Sequence, residues 1–218
     1  MRVKSPRIKI CCIGSLEEAK TAFQCGASAI GLVGHMPSGP GIISDELICK
    51  IAKSVPPPIG TFLLTSETSP EKIIVHHKFT ETNTIQIVDA IALQAYAVLR
   101  EALPSIKLVQ VIHVIDEKSV EEAIKISEFV DAILLDSGNP NLKIKELGGT
   151  GRVHNWKFSR QIRDLIKIPV FLAGGLNPDN VSAAIEAVEP FGIDVCSGVR
   201  TNGKLDEGKL ELFMRNSE

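Results

Sequence analysis

The stretch FLAGGLNPDNVSAAIEAVEPFGIDVCSGV, residues 171–199, reads as a strand, a glycine-bearing turn, a helix and the next strand. An apolar run ends in Gly174-Gly175, and Asn177-Pro178 reads as an N-cap followed by proline at the first helical position. Val181, Ala184, Ile185 and Val188 then make an apolar stripe at helical spacing. A β-branched run carries the chain to Ser197-Gly198.

The same alternation extends outward over the chain. Strands are expected at 7–13, 29–34, 59–64, 84–88, 107–114, 132–137, 169–175 and 193–198, several nearly continuous in Ile, Val and Leu, as strands covered on both faces should be. Between them lie helical windows. Ser15 and Glu18 suggest a capping box before Leu16, Ala19 and Phe23, and Ser69-Pro70 marks another start. Helices three and four are expected at 70–79 and 90–103, helix three carrying the weakest pattern. Eight βα units predict an α/β fold, a single (β/α)8 TIM barrel over residues 1–218, with a doubly wound open sheet as the alternative architecture. Pro56-Pro57-Pro58 reads as a rigid turn at the bottom of the barrel. The longest irregular stretch, 138–155, is of a length usual for functional loops and permits a lid.

Composition bounds the partners. The chain is 44% hydrophobic and 23% charged, with net charge −2 and pI about 6.2, so no strong field recruits nucleic acid or an anionic membrane. No apolar run approaches the roughly 20 residues of a membrane span, and the N-terminus lacks an apolar segment with a cleavage site. A cytoplasmic protein with a small-molecule partner is expected, as monomer or homodimer. Five cysteines without CxxC or histidine clustering suggest free thiols in a reducing compartment and no metal site.

In such barrels the ligand lies at the C-terminal strand ends. That rule selects Cys11 and Cys12, 35–41, Asp89, Asp136, and the glycine segments 148–151, Gly174-Gly175 and Ser197-Gly198. Clustered glycines let backbone N–H groups approach a phosphate, although each run alone also suits a tight turn or cap. Asp136 ends the apolar run AILLDS, where a carboxyl is either a functional acid or a loop cap. Cys11 and Cys12 are strand neighbours, so one of the two should look into the mouth. A buried cysteine also serves as inert packing. His76 and His77 read as surface residues of a helix. His35, His113 and His154 lie near strand ends or in the long loop. Trp156 reads as a packing anchor for that loop.

Lys9-Ile10-Cys11, Leu134-Leu135-Asp136, GGTG at 148–151 and the opening stretch together resemble the phosphoribosylanthranilate isomerase family, most specifically over 148–199 and weakly from 34 to 103. The resemblance implies an aldose–ketose isomerase, an intramolecular oxidoreductase performing an Amadori rearrangement in tryptophan biosynthesis without cofactor or metal. It implies Cys11 as general base and Asp136 as general acid. It assigns Gly149, Gly151, Gly174, Gly175, Ser197 and Gly198 to phosphate holding, and Asp194, in the family's DVSSGV-type strand end, to structure or substrate orientation.

Departures from the family pattern cluster at one end. Pro40, within SGPGII, stands where the family carries an arginine for the anthranilate carboxylate. Gln86-Ile87-Val88-Asp89 replaces QLHGxE, Cys12 replaces a glycine, and Arg200 replaces an acidic residue and is a candidate compensating substrate contact. Three readings follow: the isomerase itself, a relative isomerising another phosphorylated aminosugar, and a non-catalytic phosphometabolite-binding barrel.

Overall fold

The computed structural model describes residues 5–138 and 153–218. Eight parallel strands close into a barrel in chain order: β1 (Arg7–Ile10), β2 (Ala29–Val33), β3 (Gly60–Thr65), β4 (Thr84–Ile87), β5 (Lys107–His113), β6 (Ala132–Asp136), β7 (Val170–Leu172) and β8 (Gly192–Val195). Closure is made by β1 against β8, with Lys9 opposite Asp194 and Ile10 opposite Val195. The open-sheet alternative is thereby set aside.

Strand parity divides the core in two. Ile10, Ile30, Leu32, Leu63, Ile85, Ile133, Leu135 and Ile193 point outward and pack under the helices. Ala29, Val33, Phe62, Leu64, Val109, Val111, Ala132, Leu134 and Phe171 fill the barrel itself. Near-continuous apolar strands thus serve two separate layers.

The helices are α1 (Leu16–Gln24), α2 (Asp45–Ser54), α3 (Pro70–Thr80), α4 (Leu93–Ala102), α5 (Glu117–Ile126), α6 (Trp156–Leu165), α7 (Val181–Val188) and α8 (Glu207–Asn216). The weakly patterned α3 forms in full because Ser69 caps it and Ile73 is buried. Its two histidines are not surface residues. His77 is buried with Nε2 2.7 Å from the Thr82 carbonyl, and His76 spans Thr65 and Asp45 at 3.2 and 3.0 Å. The Pro56–Pro58 turn lies at the expected place and contains a cis Pro57–Pro58 peptide.

Capping at two helix starts differs from expectation, and α4 begins at Leu93 instead of 90. Asn177 caps a turn instead, its Oδ1 accepting from the N–H groups of Asp179 and Asn180 at 2.9 and 3.2 Å, and α7 begins after Asn180. Ser15 does cap α1, accepting from Glu18 N–H. The Glu18 carboxylate, however, accepts from Gly14 and Leu205 N–H, each at 2.9 Å, because a later part of the chain reaches it. That part is a hairpin, β9 (Arg200–Thr201) with β10 (Lys204–Leu205), turning on Asn202 and Gly203 at φ 51° and 78°.

Candidate active site

Several expected strands stop short of the rim, β1 at Ile10, β7 at Leu172 and β8 at Val195. The residues beyond them form a pocket. Cys11, Gln86, Asp136, Asp194, Cys196 and Ser197 line it with Met36, Pro40, Gly174 and Gly175. Cys11, just after β1, and Asp136, at the end of β6, therefore face one cavity. Cys12 lines it too, contrary to strict strand alternation. Its φ of 62° is the left-handed backbone that usually belongs to glycine, and this breaks the strand parity after Cys11.

Asp136 is 9% exposed. Its Oδ1 accepts from Ser137 N–H at 2.7 Å. Burial pushes its pKa up, and Asp194 adds to this against the opposing Ser137 N–H, His113 and Lys9. A carboxyl kept protonated above its usual range can donate a proton. His113 sits opposite Asp136 in the β5–β6 register, with Nε2 3.2 Å from the Val88 carbonyl and Nδ1 buried without a partner.

Below the thiol lies a cation that sequence reasoning missed. Lys9 is fully buried, 2.9 Å from Asp194, and its Nζ lies 5.3 Å from the Phe62 ring centre. Burial alone would lower its pKa, but the Asp194 carboxylate, aided by Cys11, holds it above the ordinary lysine value. Gly31 makes room for this layer. A Cβ there would stand 2.8 Å from Cys11 Sγ and 3.0 Å from Lys9 Nζ. The two-residue spacing of Lys9 and Cys11 was the available signal, since both fall on one strand face. Gln86 was also missed as a site residue: it is 2% exposed, lines the pocket, and its Oε1 has no partner.

Arg200 is not among the residues lining the pocket. Its guanidinium pairs with both Glu18 oxygens at 3.0 Å and donates to the Cys11 and Cys12 carbonyls. The hairpin aims it at the loop after β1, where it holds the backbone carrying the thiols. Glu18, despite burial, is kept below the usual carboxylate range by Arg200 and the two backbone donors. No lysine or arginine lines the pocket among the described residues.

Gly174 and Gly175, at φ 84° and 66°, turn the chain after β7. Gly198 presses the β8 loop on this turn so closely that a Cβ would lie 2.1 Å from the Leu176 carbonyl oxygen. The two loops assigned to phosphate are thus in contact. Gly149 and Gly151, with residues 139–152 of the candidate lid, lie outside the described residues.

His154 supports the same turn, its Nδ1 3.0 Å from where a Gly174 Cβ would be and its Nε2 2.6 Å from Ser159 Oγ. Burial pushes its pKa down to about 4. The unfolded chain binds this proton near pH 6.5, so the unfolded state holds more protons between those values. The contribution of His154 to stability is therefore lost as pH falls from about 6.5 towards 4. His154→Gln is expected to remove roughly 1–3 kcal/mol of the acid-dependent loss over that window, read by urea unfolding at about pH 4.5 and 7. Identical pH slopes for the two proteins would exclude this role.

Comparisons with known proteins agree with this fold. The family model for N-(5'-phosphoribosyl)anthranilate isomerase matches residues 8–216. The chain is 37% identical over 216 residues to N-(5'-phosphoribosyl)anthranilate isomerase 2 of Methanosarcina mazei, covering 97% of this chain and 94% of that one. It superposes on the crystal structure of the Thermotoga maritima phosphoribosylanthranilate isomerase with TM-score 0.84 at 32% identity, over 97% and 98% of the two chains. A phosphoribosylanthranilate isomerase in complex with reduced 1-(o-carboxyphenylamino)-1-deoxyribulose 5-phosphate matches with TM-score 0.81 at 30% identity, over the same shares. With its barrel closed and its thiol and carboxyl facing one pocket, this chain belongs to the phosphoribosylanthranilate isomerase family.

Proposed function

We propose that the protein isomerises N-(5'-phosphoribosyl)anthranilate to the carboxyphenylamino-deoxyribulose phosphate, the Amadori step of tryptophan biosynthesis. The observation that carries this reading is the convergence of Cys11 and Asp136 on one pocket in a chain of this family. Asp136 protonates the furanose ring oxygen as the ring opens to a Schiff base. Cys11 removes the C2 proton to give an enolamine, which tautomerises to the ketose. Lys9 offsets negative charge at the pocket floor, where Asp194 also lies. Gly174, Gly175, Ser197 and Gly198, with Gly149 and Gly151, hold the phosphate through backbone N–H groups. Arg200 positions the thiol-bearing loop instead of touching substrate, a role supported by its bonds to Glu18 and the Cys11 and Cys12 carbonyls. We read the protein as a cytoplasmic enzyme, monomeric or homodimeric.

Pro40, where the family carries its arginine, gives the substrate carboxylate no charged partner. The loss of such a contact, worth about 1.5–3 kcal/mol, should raise KM about tenfold or more. Steady-state fluorescence assays with phosphoribosylanthranilate are expected to give turnover with that weakened KM. No turnover at high enzyme concentration would defeat the assignment. The lack of a lysine or arginine among the described residues lining the pocket favours one second reading, a related phosphorylated aminosugar without the carboxylate. Faster turnover of the descarboxy anilino analogue than of phosphoribosylanthranilate would select it.

A further inference from the structure

Two of the pocket's cysteines meet across the barrel closure. Cys12 Sγ lies 2.7 Å from Cys196 Sγ, although the residues are 184 apart in the chain. The β1–β8 pairing that sets Ile10 against Val195 carries both thiols to the same rim. A disulfide needs a sulfur–sulfur distance of about 2.05 Å, so a small approach suffices. Cys196 is half-buried and Cys12 buried, the arrangement of an accessible attacking thiol backed by a shielded resolving one. All five cysteines are free. We propose that Cys12 and Cys196 are a reversible dithiol–disulfide site at the mouth of the pocket, closed by a low-molecular-weight disulfide and coupled to turnover.

The electrostatics agree with these roles. The Cys12 thiol, with Arg200 assisting against burial, holds Cys196 below the ordinary thiol range, while contacts with Cys11 and Cys196, together with burial, hold Cys12 well above it. The thiolate is the nucleophile in exchange. Cys196 thiolate attacks one sulfur of the disulfide RSSR. The S–S bond of RSSR breaks, leaving a Cys196–SR mixed disulfide and RS⁻, which takes up a proton. Cys12 then gives its proton to solvent and attacks the Cys196 sulfur, expelling the second RS⁻, which is protonated in turn. Two protein thiols are oxidised to one disulfide as RSSR is reduced to two RSH.

Closure should disturb the pocket. Cys12 Sγ now lies 3.6 Å from the Pro40 carbonyl, a contact the disulfide removes. The loop after β2 has no slack there, since a Cβ on Gly41 would stand 2.4 Å from Cys12 Cβ. Drawing Cys12 towards Cys196 moves this loop and the adjoining Cys11. The effect on turnover rests on the proposed isomerase reading, but the disulfide does not.

The test treats the full chain with oxidised glutathione, removes the reagent, denatures, counts thiols and maps peptides. The count is expected to fall from the five of the sequence to three, with Cys12 and Cys196 peptides joined, and to return to five with dithiothreitol. Cys12→Gly, which suits the left-handed backbone, should instead accumulate the Cys196 mixed disulfide, and Cys196→Ser should form no bridge. Five thiols surviving the treatment, or a bridge using Cys11, Cys25 or Cys49, would overturn the site. Bridged protein is expected to turn over about 100-fold more slowly, the scale of about 1 Å misplacement near reacting atoms. Bridged protein working at the reduced rate would overturn the coupling. Reduced protein without turnover would count against the isomerase reading alone, because the thiol count is independent of it.

Discussion

Asp136→Asn and Cys11→Ser should each lower kcat by about 10²–10⁴, the range of a positioned acid or base. The double variant should lose much less than the product of the two effects, because the pair acts as a unit. Both changes are nearly isosteric, so their melting temperatures should stay close to that of the parent. The pH profile separates the roles. Burial raises the pKa of Asp136, and a general acid must be protonated, so its contribution is lost as pH rises through that raised value. The wild-type rate should show this descending limb, and the residual rate of Asp136→Asn should lack it. An Asp136→Asn protein that keeps most of its kcat, or keeps the limb, would remove Asp136 from the chemistry.

The parts of this site that were legible obey short-range rules. Strand parity puts Cys11, Asp136 and Asp194 on inward faces once the strands are located, and the glycine pair at 174–175 marks a loop from its composition alone. The same parity applied to Lys9 and Gln86 would have exposed both. The β9–β10 hairpin also carried its own signal, since Asn-Gly is the strongest two-residue hairpin turn. Other features depend on closure. The Glu18 carboxylate fits a capping box until Arg200 and Leu205, more than 180 residues later, arrive beside it. The left-handed Cys12 was hidden for a different reason. A non-glycine residue at positive φ is uncommon, and its local sequence continues an apolar strand. The contact of Cys12 with Cys196 exists only when β8 seals against β1.

Lys9→Met should cost about 3–5 kcal/mol of folding stability, because it leaves the Asp194 carboxylate buried without its partner. Lys9 is fully buried and Asp194 7% exposed, so water can replace little of the lost 2.9 Å contact. For a domain of this size the Tm should fall by about 6–20 °C. The double variant Lys9→Met/Asp194→Leu removes both charges and should recover most of that loss, since an apolar pair of similar volume is often as stable as a buried ion pair. Stability and catalysis should then separate. Asp194 lines the pocket, and the Lys9–Asp194 pair sets part of the field at Asp136. The refolded double variant should therefore remain impaired in kcat. A single variant that loses less than about 1 kcal/mol would mean that the pair does not hold the barrel floor. A double variant with wild-type kcat would mean that the pair serves packing alone, leaving the thiol and carboxyl to work without the charge layer beneath them.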